Sequence, residues 1–223
     1  MATFLPQLCA AQQVVRQEKI GHTTYNVVRY EDGTEDYEEA GPIVVTDAML
    51  TKGTPHNGHN YVDLGLNVYW ATCNVAASDP SQPGILVKWG ETEPGSDDAK
   101  ASLNHKRYYD LKVKGDPKFD AARKVMGGKW RLPSKMEVQW LVVKCIWEPA
   151  VYKGVEGAYI KSKKNGNSIF IPFDKCSNLW TYEWGGGDDG DEGCCYGWNG
   201  YEPRQDIESN AYELMVRGVL DKQ

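Results

Sequence analysis

The sequence predicts an α+β fold in which antiparallel strands surround a well-capped helix, preceded by a small unit made mostly of strands. A glycine turn leads into a helix start over residues 127–141. Two neighbouring strand-like runs precede it at 61–66 and 68–71, and a hairpin signal follows it at 164–167. Strands on both sides of one strong helix are typical of a mixed fold.

The helix start is the most specific local pattern in the chain. Gly127 and Gly128 can adopt left-handed backbone angles that other residues avoid. Pro133 fixes its own φ and favours an extended residue before it. Ser134 is then a natural N-cap, and Glu137, three residues later, completes a predicted capping box.

Apolar residues recur at helical spacing beyond this cap. Met136, Trp140 and Leu141 follow the spacing of one helix face, so we expect the helix to bury that face and to end near residues 145–147. Tryptophans within the strand-like and helical segments are interpreted as core residues. They are Trp70, Trp89, Trp130, Trp140 and Trp147.

Composition limits the functional classes. The 223 residues suffice for one ordinary domain and a smaller one. The net charge of −6 argues against a nucleic-acid partner, which would require a basic face. Because 8 Trp and 13 Tyr accompany only 4 Phe, the aromatic residues favour the chemistry of recognition surfaces. No apolar run is long enough to span a membrane, and the N-terminus lacks a signal-peptide pattern.

Two domains are predicted, with a boundary after residue 55. Residues 1–55 contain a strand-like run at 24–30, a hairpin turn at 31–34 and linker composition from residue 51. A unit of this size is marginally stable alone, so we expect it to mediate homo-oligomerisation or attachment to a larger assembly. Residues 56–223 are the predicted ligand-binding domain.

The larger segment resembles a known family. The segments that carry the resemblance are 61–66, 68–75, 89–92, 127–141, 154–159 and 162–172. Taken together, they are similar to the C-type-lectin-like domains of a paralogous family abundant in gut Bacteroidetes and first catalogued in Fibrobacter. The resemblance implies twisted antiparallel sheets with flanking helices and long loops over roughly residues 58–182. The Arg131-Leu132-Pro133 turn is also similar to that of formylglycine-generating enzymes, relatives of the same fold.

Residues 179–204 differ from the rest of the chain because they are nearly free of aliphatic side chains and dense in Gly, Asp, Tyr and Trp. Rigid aromatic rings beside glycine hinges are typical of binding loops. A disordered acidic loop is the alternative, but disorder normally depletes aromatic residues. The candidate ligand-binding residues are Tyr182, Trp184, Asp188, Asp189, Asp191, Glu192, Tyr196, Trp198, Asn199, Tyr201 and Arg204.

Calcium is the one cofactor for which the acidic residues of this segment offer candidate ligands. Asp188, Asp189, Asp191 and Glu192 offer the oxygen ligands that Ca²⁺ prefers. The Glu-Pro-Asn signature of many C-type lectins is broken at Arg204, and there is no EF-hand spacing. We therefore expect a solvated acidic loop and no cofactor, with calcium as the alternative.

Catalysis is not expected. The redox chemistry of the formylglycine-generating relatives needs two suitably spaced cysteines, and the adjacent Cys194 and Cys195 do not reproduce that spacing. The sequence contains no nucleophile elbow, P-loop or zinc-protease motif.

Residues 184–204 also resemble the variable segment of retroelement-diversified proteins, which use the C-type lectin fold for display.

These features predict a non-enzymatic protein that binds a cell-surface glycan or protein through its C-terminal loops. A phage virion fibre or decoration protein, exposed on the virion surface, combines a small attachment unit with such a display domain. The alternative is a bacterial adhesin or pilus-tip protein, at the cell surface or secreted. An enzyme of the formylglycine-generating type is a distant third.

Overall fold

The structure is a computed structural model that describes residues 13–20, 23–97, 111–173, 178–186, 192–198, 203–209 and 212–222. It contains two compact units, Met1–Pro42 and Ile43–Gln223. The strand Ile43–Val45, which the sequence pattern assigns to the first domain, belongs to the larger unit in the structure.

The N-terminal unit is a three-stranded antiparallel sheet in which β2 (Thr23–Arg29) lies between β1 (Gln13–Ile20) and β3 (Glu35–Glu39). Val27 and Val28 of the central strand are buried. The hairpin turn predicted at 31–34 joins β2 to β3, which confirms that prediction.

The larger unit is built mainly from short strands. Its two described α-helices are α1 (Ala121–Met126) and α2 (Lys135–Lys144). Its strands are β4 (Ile43–Val45), β5 (Thr54–His56), β6 (His59–Val62), β7 (Val68–Asn74), β8 (Leu86–Val87), β9 (Cys145–Tyr152), β10 (Val155–Ser162), β11 (Ser168–Pro172), β12 (Asn178–Gly186), β13 (Glu192–Trp198), β14 (Pro203–Ser209), β15 (Leu214–Met215) and β16 (Arg217–Asp221).

Three sheets make up this unit within the described residues. Their strand orders are β11-β10-β9-β4, β14-β13-β12-β15-β8 and β16-β7-β6-β5. Most neighbours are antiparallel, but β4 pairs with β9 and β12 pairs with β15 in parallel. Neighbouring strands in these sheets are therefore often distant in sequence.

The α+β prediction, with its C-type-lectin-like architecture, is wrong. Strand accounts for 46% of the chain and helix for 12%, so the fold is mostly β. The main physical reason lies in the C-terminal segment, which was expected to form loops because it lacks aliphatic residues. Its tyrosines and tryptophans suit a pleated surface equally well, and there the backbone pairs as β12, β13 and β14.

Two tryptophans tie together non-adjacent strands of one sheet in the larger unit. The Trp89 Nε1–H donates to the Thr181 carbonyl at 3.0 Å, and the Trp180 Nε1–H donates to the Val87 carbonyl at 2.7 Å. The two bonds run in opposite directions between β12 and the segment that contains β8. Trp70, Trp89 and Trp130 are fully buried, as predicted, whereas the expectation is wrong for Trp140, which is exposed.

A buried arginine joins two other sheets. Arg217 of β16 is completely buried and donates to the carbonyls of Ala71 and Phe170, each at 3.0 Å. Ala71 lies in β7 and Phe170 in β11, so one guanidinium bridges two strands of different sheets. Burial lowers the pKa of Arg217 to about 10, which leaves the group charged at neutral pH.

Candidate functional site

The predicted binding segment forms a three-stranded antiparallel meander, β12-β13-β14, here called the C-terminal meander. Strands β13 and β14 pair continuously from Glu192 opposite Ser209 to Trp198 opposite Pro203. Strand β12 pairs with β13 at both ends, with register shifts after Trp180 and after Trp184. Regular backbone pairing thus holds residues that were expected to lie in loops.

One face of β12 carries a row of aromatic side chains. Trp180, Tyr182 and Trp184 lie on the same side of the strand, because all three belong to or pack against one core cluster. Trp180 is buried opposite the buried Cys195, while Tyr182 and Trp184 are half-buried and pack against the same core cluster. The core therefore holds the two outer rings in place.

Strand pairing separates the candidate residues into two groups. Trp184 and Glu192 lie where β12 passes into β13, the junction that also contains Asp188, Asp189 and Asp191 in sequence. At roughly 3.3 Å per residue, the seven residues of β13 place the opposite junction about 20 Å away. That junction holds Trp198, Asn199, Tyr201 and Arg204 in sequence.

Two candidates lie between these groups, and five are not described. Tyr182 and Tyr196 lie along the strands between the two junctions. The candidates outside the described residues are Asp188, Asp189, Asp191, Asn199 and Tyr201. A single small ligand cannot contact both junctions, so the meander has two potential recognition ends.

The start of α2 fixes the middle of β12. The Tyr182 amide donates to the Pro133 carbonyl at 3.0 Å, and the Lys135 amide donates to the Glu183 carboxylate at 2.8 Å. Lys114 Nζ lies 5.3 Å from the centre of the Tyr182 ring. Burial raises the pKa of both Tyr182 and Glu183. The aromatic row is thus tied to a helix N-terminus rather than to a free loop.

A buried ion pair supports that helix start. The Arg131 guanidinium donates to both Glu137 carboxylate oxygens at 2.7 and 2.8 Å and also contacts Asp221. Burial alone would raise the pKa of Glu137, but hydrogen bonds from Arg131 and the Ser134 amide lower it below its ordinary value. Ser134 and Glu137 form the reciprocal capping box, which confirms that prediction.

A buried aspartate holds the preceding turn. The Asp120 carboxylate accepts the amides of Gly115, Arg123 and Leu132 at 2.8 to 3.1 Å. Burial raises the pKa of Asp120 despite these bonds. Each carboxylate oxygen has backbone partners, so the group acts as a structural clamp on residues 115–132.

The described residues contain no group of three His, Cys, Asp or Glu side chains placed to hold a metal ion. Three of the four residues considered for calcium lie outside those residues, so the calcium hypothesis stays a prediction. No helix in the described part of the chain is long and apolar enough to cross a membrane.

The expectation that Met136, Trp140 and Leu141 share one buried face of α2 is wrong for Met136 and Trp140. Met136, Trp140 and Val143 form an exposed stripe on α2, whereas Val138 and Leu141 form its buried side. The signal was present, because apolar residues occupy both sides of this helix and only one side can face the core.

Comparison with known proteins gives no assignment. A scan against protein-family models finds no match, and searches of curated proteins and of solved structures find no significant match. The resemblance to the Bacteroidetes family therefore stays a prediction based on sequence motifs.

Proposed function

We propose that this protein is a non-enzymatic recognition protein that binds a cell-surface glycan or protein through the C-terminal meander. The observation that supports this most is the aromatic row on β12, where Tyr182 and Trp184 are half-buried beside the core-anchored Trp180. Rings held rigidly by the core lose little conformational freedom on binding, as is typical of recognition surfaces.

The separation of the two junctions favours an extended ligand or a broad protein surface. A ligand that contacts Trp184 at one junction and Trp198 at the other must span about 17 Å, because Trp184 lies opposite Gly193, five residues before Trp198. A glycan chain or a folded partner meets that requirement, whereas a single small metabolite does not.

The N-terminal unit supports a role in assembly. Its edge strand β1 exposes the apolar residues Val14, Val15 and Ile20. The other edge, β3, is fully exposed and carries Glu35, Asp36, Glu38 and Glu39, and such charges discourage edge pairing. We propose that the β1 edge mediates homo-oligomerisation or attachment to a larger assembly.

Substitutions at the two junctions test the recognition proposal. Trp184→Ala probes one junction, and Trp198→Ala and Tyr201→Ala probe the other. Each is expected to weaken attachment to cells by about 1–3 kcal/mol if its junction contacts the ligand. Tyr212→Ala is the matched control, because Tyr212 is an exposed aromatic residue outside the meander. Unchanged attachment of all three variants would refute the proposal.

The proposed location is the surface of a virion, with a bacterial adhesin or pilus-tip protein as the alternative. Density-gradient fractionation of a producing culture, with mass-spectrometric detection, separates the two. A peak with DNA-containing particles supports the virion location, and a peak with cell envelopes supports the adhesin. Protein found free in the cytoplasm contradicts both locations.

A further inference from the structure

A recessed surface lies at the end of α2, among residues that are not part of the C-terminal meander. It is a cleft of about 450 Å³, here called the lysine cleft. This volume falls within the range of roughly 300–1,000 Å³ typical of small-ligand sites. Its main lining residues are Leu64, Leu66, Trp140, Lys144, Lys163 and Lys164.

Hydrogen bonds fix two walls of the lysine cleft against each other. The Ser162 hydroxyl donates to the Leu64 carbonyl at 2.7 Å. The side-chain amides of Asn165 and Asn167 each donate to the Asp63 carbonyl at 2.8 Å. The β10–β11 hairpin therefore holds the segment that precedes β7, so these walls exist before any ligand arrives.

The end of α2 forms the third wall and is bonded to the same hairpin. The Lys163 amide donates to the Lys144 carbonyl at 3.2 Å, and Lys163 Nζ donates to the Val143 carbonyl at 3.0 Å. These bonds satisfy carbonyls that the helix end would otherwise leave unpaired. They also position Trp140, one turn earlier, along the cleft.

The apolar part of the lysine cleft combines one aromatic residue with two leucines. Leu64 and Leu66 are buried in the core, whereas Trp140 is 38% exposed. Met136 and Val143 continue the exposed apolar surface along α2. An exposed indole beside aliphatic side chains offers a platform for the flat apolar face of a ligand.

The charged part of the cleft is entirely basic among its described lining residues. Lys144, Lys163 and Lys164 are exposed, although the whole chain has a net charge of −6. The neighbouring carboxylate of Asp63 already pairs with Lys222 at 2.6 Å. The cleft is therefore complementary to a negative group.

We propose that the lysine cleft binds an acidic sugar residue, a pyranose ring that bears a carboxylate. The C–H face of the ring would lie on the Trp140 indole, and the carboxylate would meet the ammonium groups of Lys144 and Lys164. An acidic peptide fits less well, because peptide recognition uses a long groove or an open strand edge rather than a short cleft. The site shares no lining residue with the meander and adds a ligand class to the protein.

The first test is calorimetric titration of the full chain with digalacturonate, and with the neutral disaccharide galactobiose as control. We expect digalacturonate to bind at least about tenfold more tightly than galactobiose, a difference of ~1.4 kcal/mol. The affinity should fall as salt rises, because the lysines are exposed. Equal binding of the two sugars, or no binding of digalacturonate, would overturn the proposal.

Variants then locate the site. Trp140→Ala and the double variant Lys144→Gln/Lys164→Gln should each weaken digalacturonate binding by about tenfold or more. Lys161→Gln is the matched charge control, since Lys161 is exposed but does not line the cleft. Thermal unfolding confirms that each variant is folded. Binding that survives both cleft variants would refute the assignment.

Two further controls separate the acidic-sugar proposal from the recognition proposal for the meander and from the acidic-peptide alternative. Trp198→Ala should leave digalacturonate binding unchanged even if it abolishes attachment to cells, so the two sites can fail independently. A tetraglutamate peptide tests the protein-ligand alternative. If it binds in a Trp140-dependent manner and digalacturonate does not, the cleft recognises acidic peptides and the sugar proposal is wrong.

Discussion

Trp130 and Trp140 lie ten residues apart in the same segment, and their environments are opposite. Trp130 is fully buried, donates its Nε1–H to the His56 carbonyl at 3.2 Å and meets the ring of His59 edge-to-face. Trp140 is exposed on α2 and lines the lysine cleft. The same residue type thus serves the core at one position and the surface at the other.

The difference shows what helical spacing can and cannot predict. Spacing identifies residues that share a helix face, but not which face meets the core. In α2 the buried face holds Val138, Leu141 and the ion-paired Glu137. The sequence expectation placed Met136 and Trp140 with Leu141 on one buried face, whereas Glu137 lies on the buried side because it pairs with Arg131, which precedes the helix.

The largest expected effect is the loss of the buried indole. Trp130→Ala should lower the free energy of unfolding by about 3–5 kcal/mol, because it leaves a cavity in the core. Denaturant unfolding measures this value. Trp140→Ala, the matched variant at the exposed position, should cost less than about 1 kcal/mol. Equal costs at the two positions would contradict the comparison.

The second-largest expected effect is the loss of the ion pair between Arg131 and Glu137, which orients α2. Glu137→Gln should destabilise by about 2–4 kcal/mol, less than a fully orphaned buried charge, because Asp221 still contacts Arg131. The exposed Glu93→Gln should change stability by less than about 0.5 kcal/mol. A Glu137→Gln cost as small as that of the control would show that the pair does not stabilise the fold.

The same pair predicts an acid-sensitive fold. The pKa values of Glu137 and Asp221 are lower in the folded state than their ordinary values of 4.5 and 3.8. Their stabilisation is therefore present above those values and is lost as the pH falls through the folded pKa values. Unfolding curves at several pH values should show this loss, and Glu137→Gln should reduce its slope. An unchanged slope would contradict the interpretation.

The helix cap has a smaller expected effect. Ser134→Ala removes the hydroxyl that accepts the Glu137 amide at 3.0 Å and should cost about 1 kcal/mol. Ser134→Thr keeps the acceptor and should cost less. Urea unfolding checks the prediction: the unfolding midpoint of Ser134→Ala should be lower than that of Ser134→Thr. The reverse order would contradict the capping role.

The smallest expected effect lies on the exposed stripe. Val143→Ser replaces an exposed apolar residue with a polar one and should change the free energy of unfolding by less than about 0.5 kcal/mol. Urea unfolding measures the change. A loss comparable with that of Trp130→Ala would mean that this side of α2 is packed in solution.

Local chemistry made part of the fold predictable. The glycine turn is present, with φ of +67° at Gly127 and +55° at Gly128, and the Asn165-Gly166 hairpin joins β10 to β11. The Ser134 capping box is present as well. Each depends on residues within a few positions of one another, so one sequence contains all the information needed.

The candidate site depended on distant residues and was less predictable. Strand β12 is held by Met215 on one side and by β13 on the other, and neither partner can be recognised from β12 itself. Pairing also determines that Trp184 and Trp198 lie at opposite junctions. Their common aromatic composition had suggested a single surface.

The position of β16 has a consequence for how this protein is made. Its residues pair with β7, and Val219 exchanges backbone hydrogen bonds with Arg131. About 150 residues separate β7 from the end of β16, so a ribosome adding roughly 5–20 residues per second needs on the order of 7–30 s to supply the partner. Throughout that interval the nascent β7 has one unpaired edge. Slower synthesis would lengthen the period in which this edge can pair with another chain.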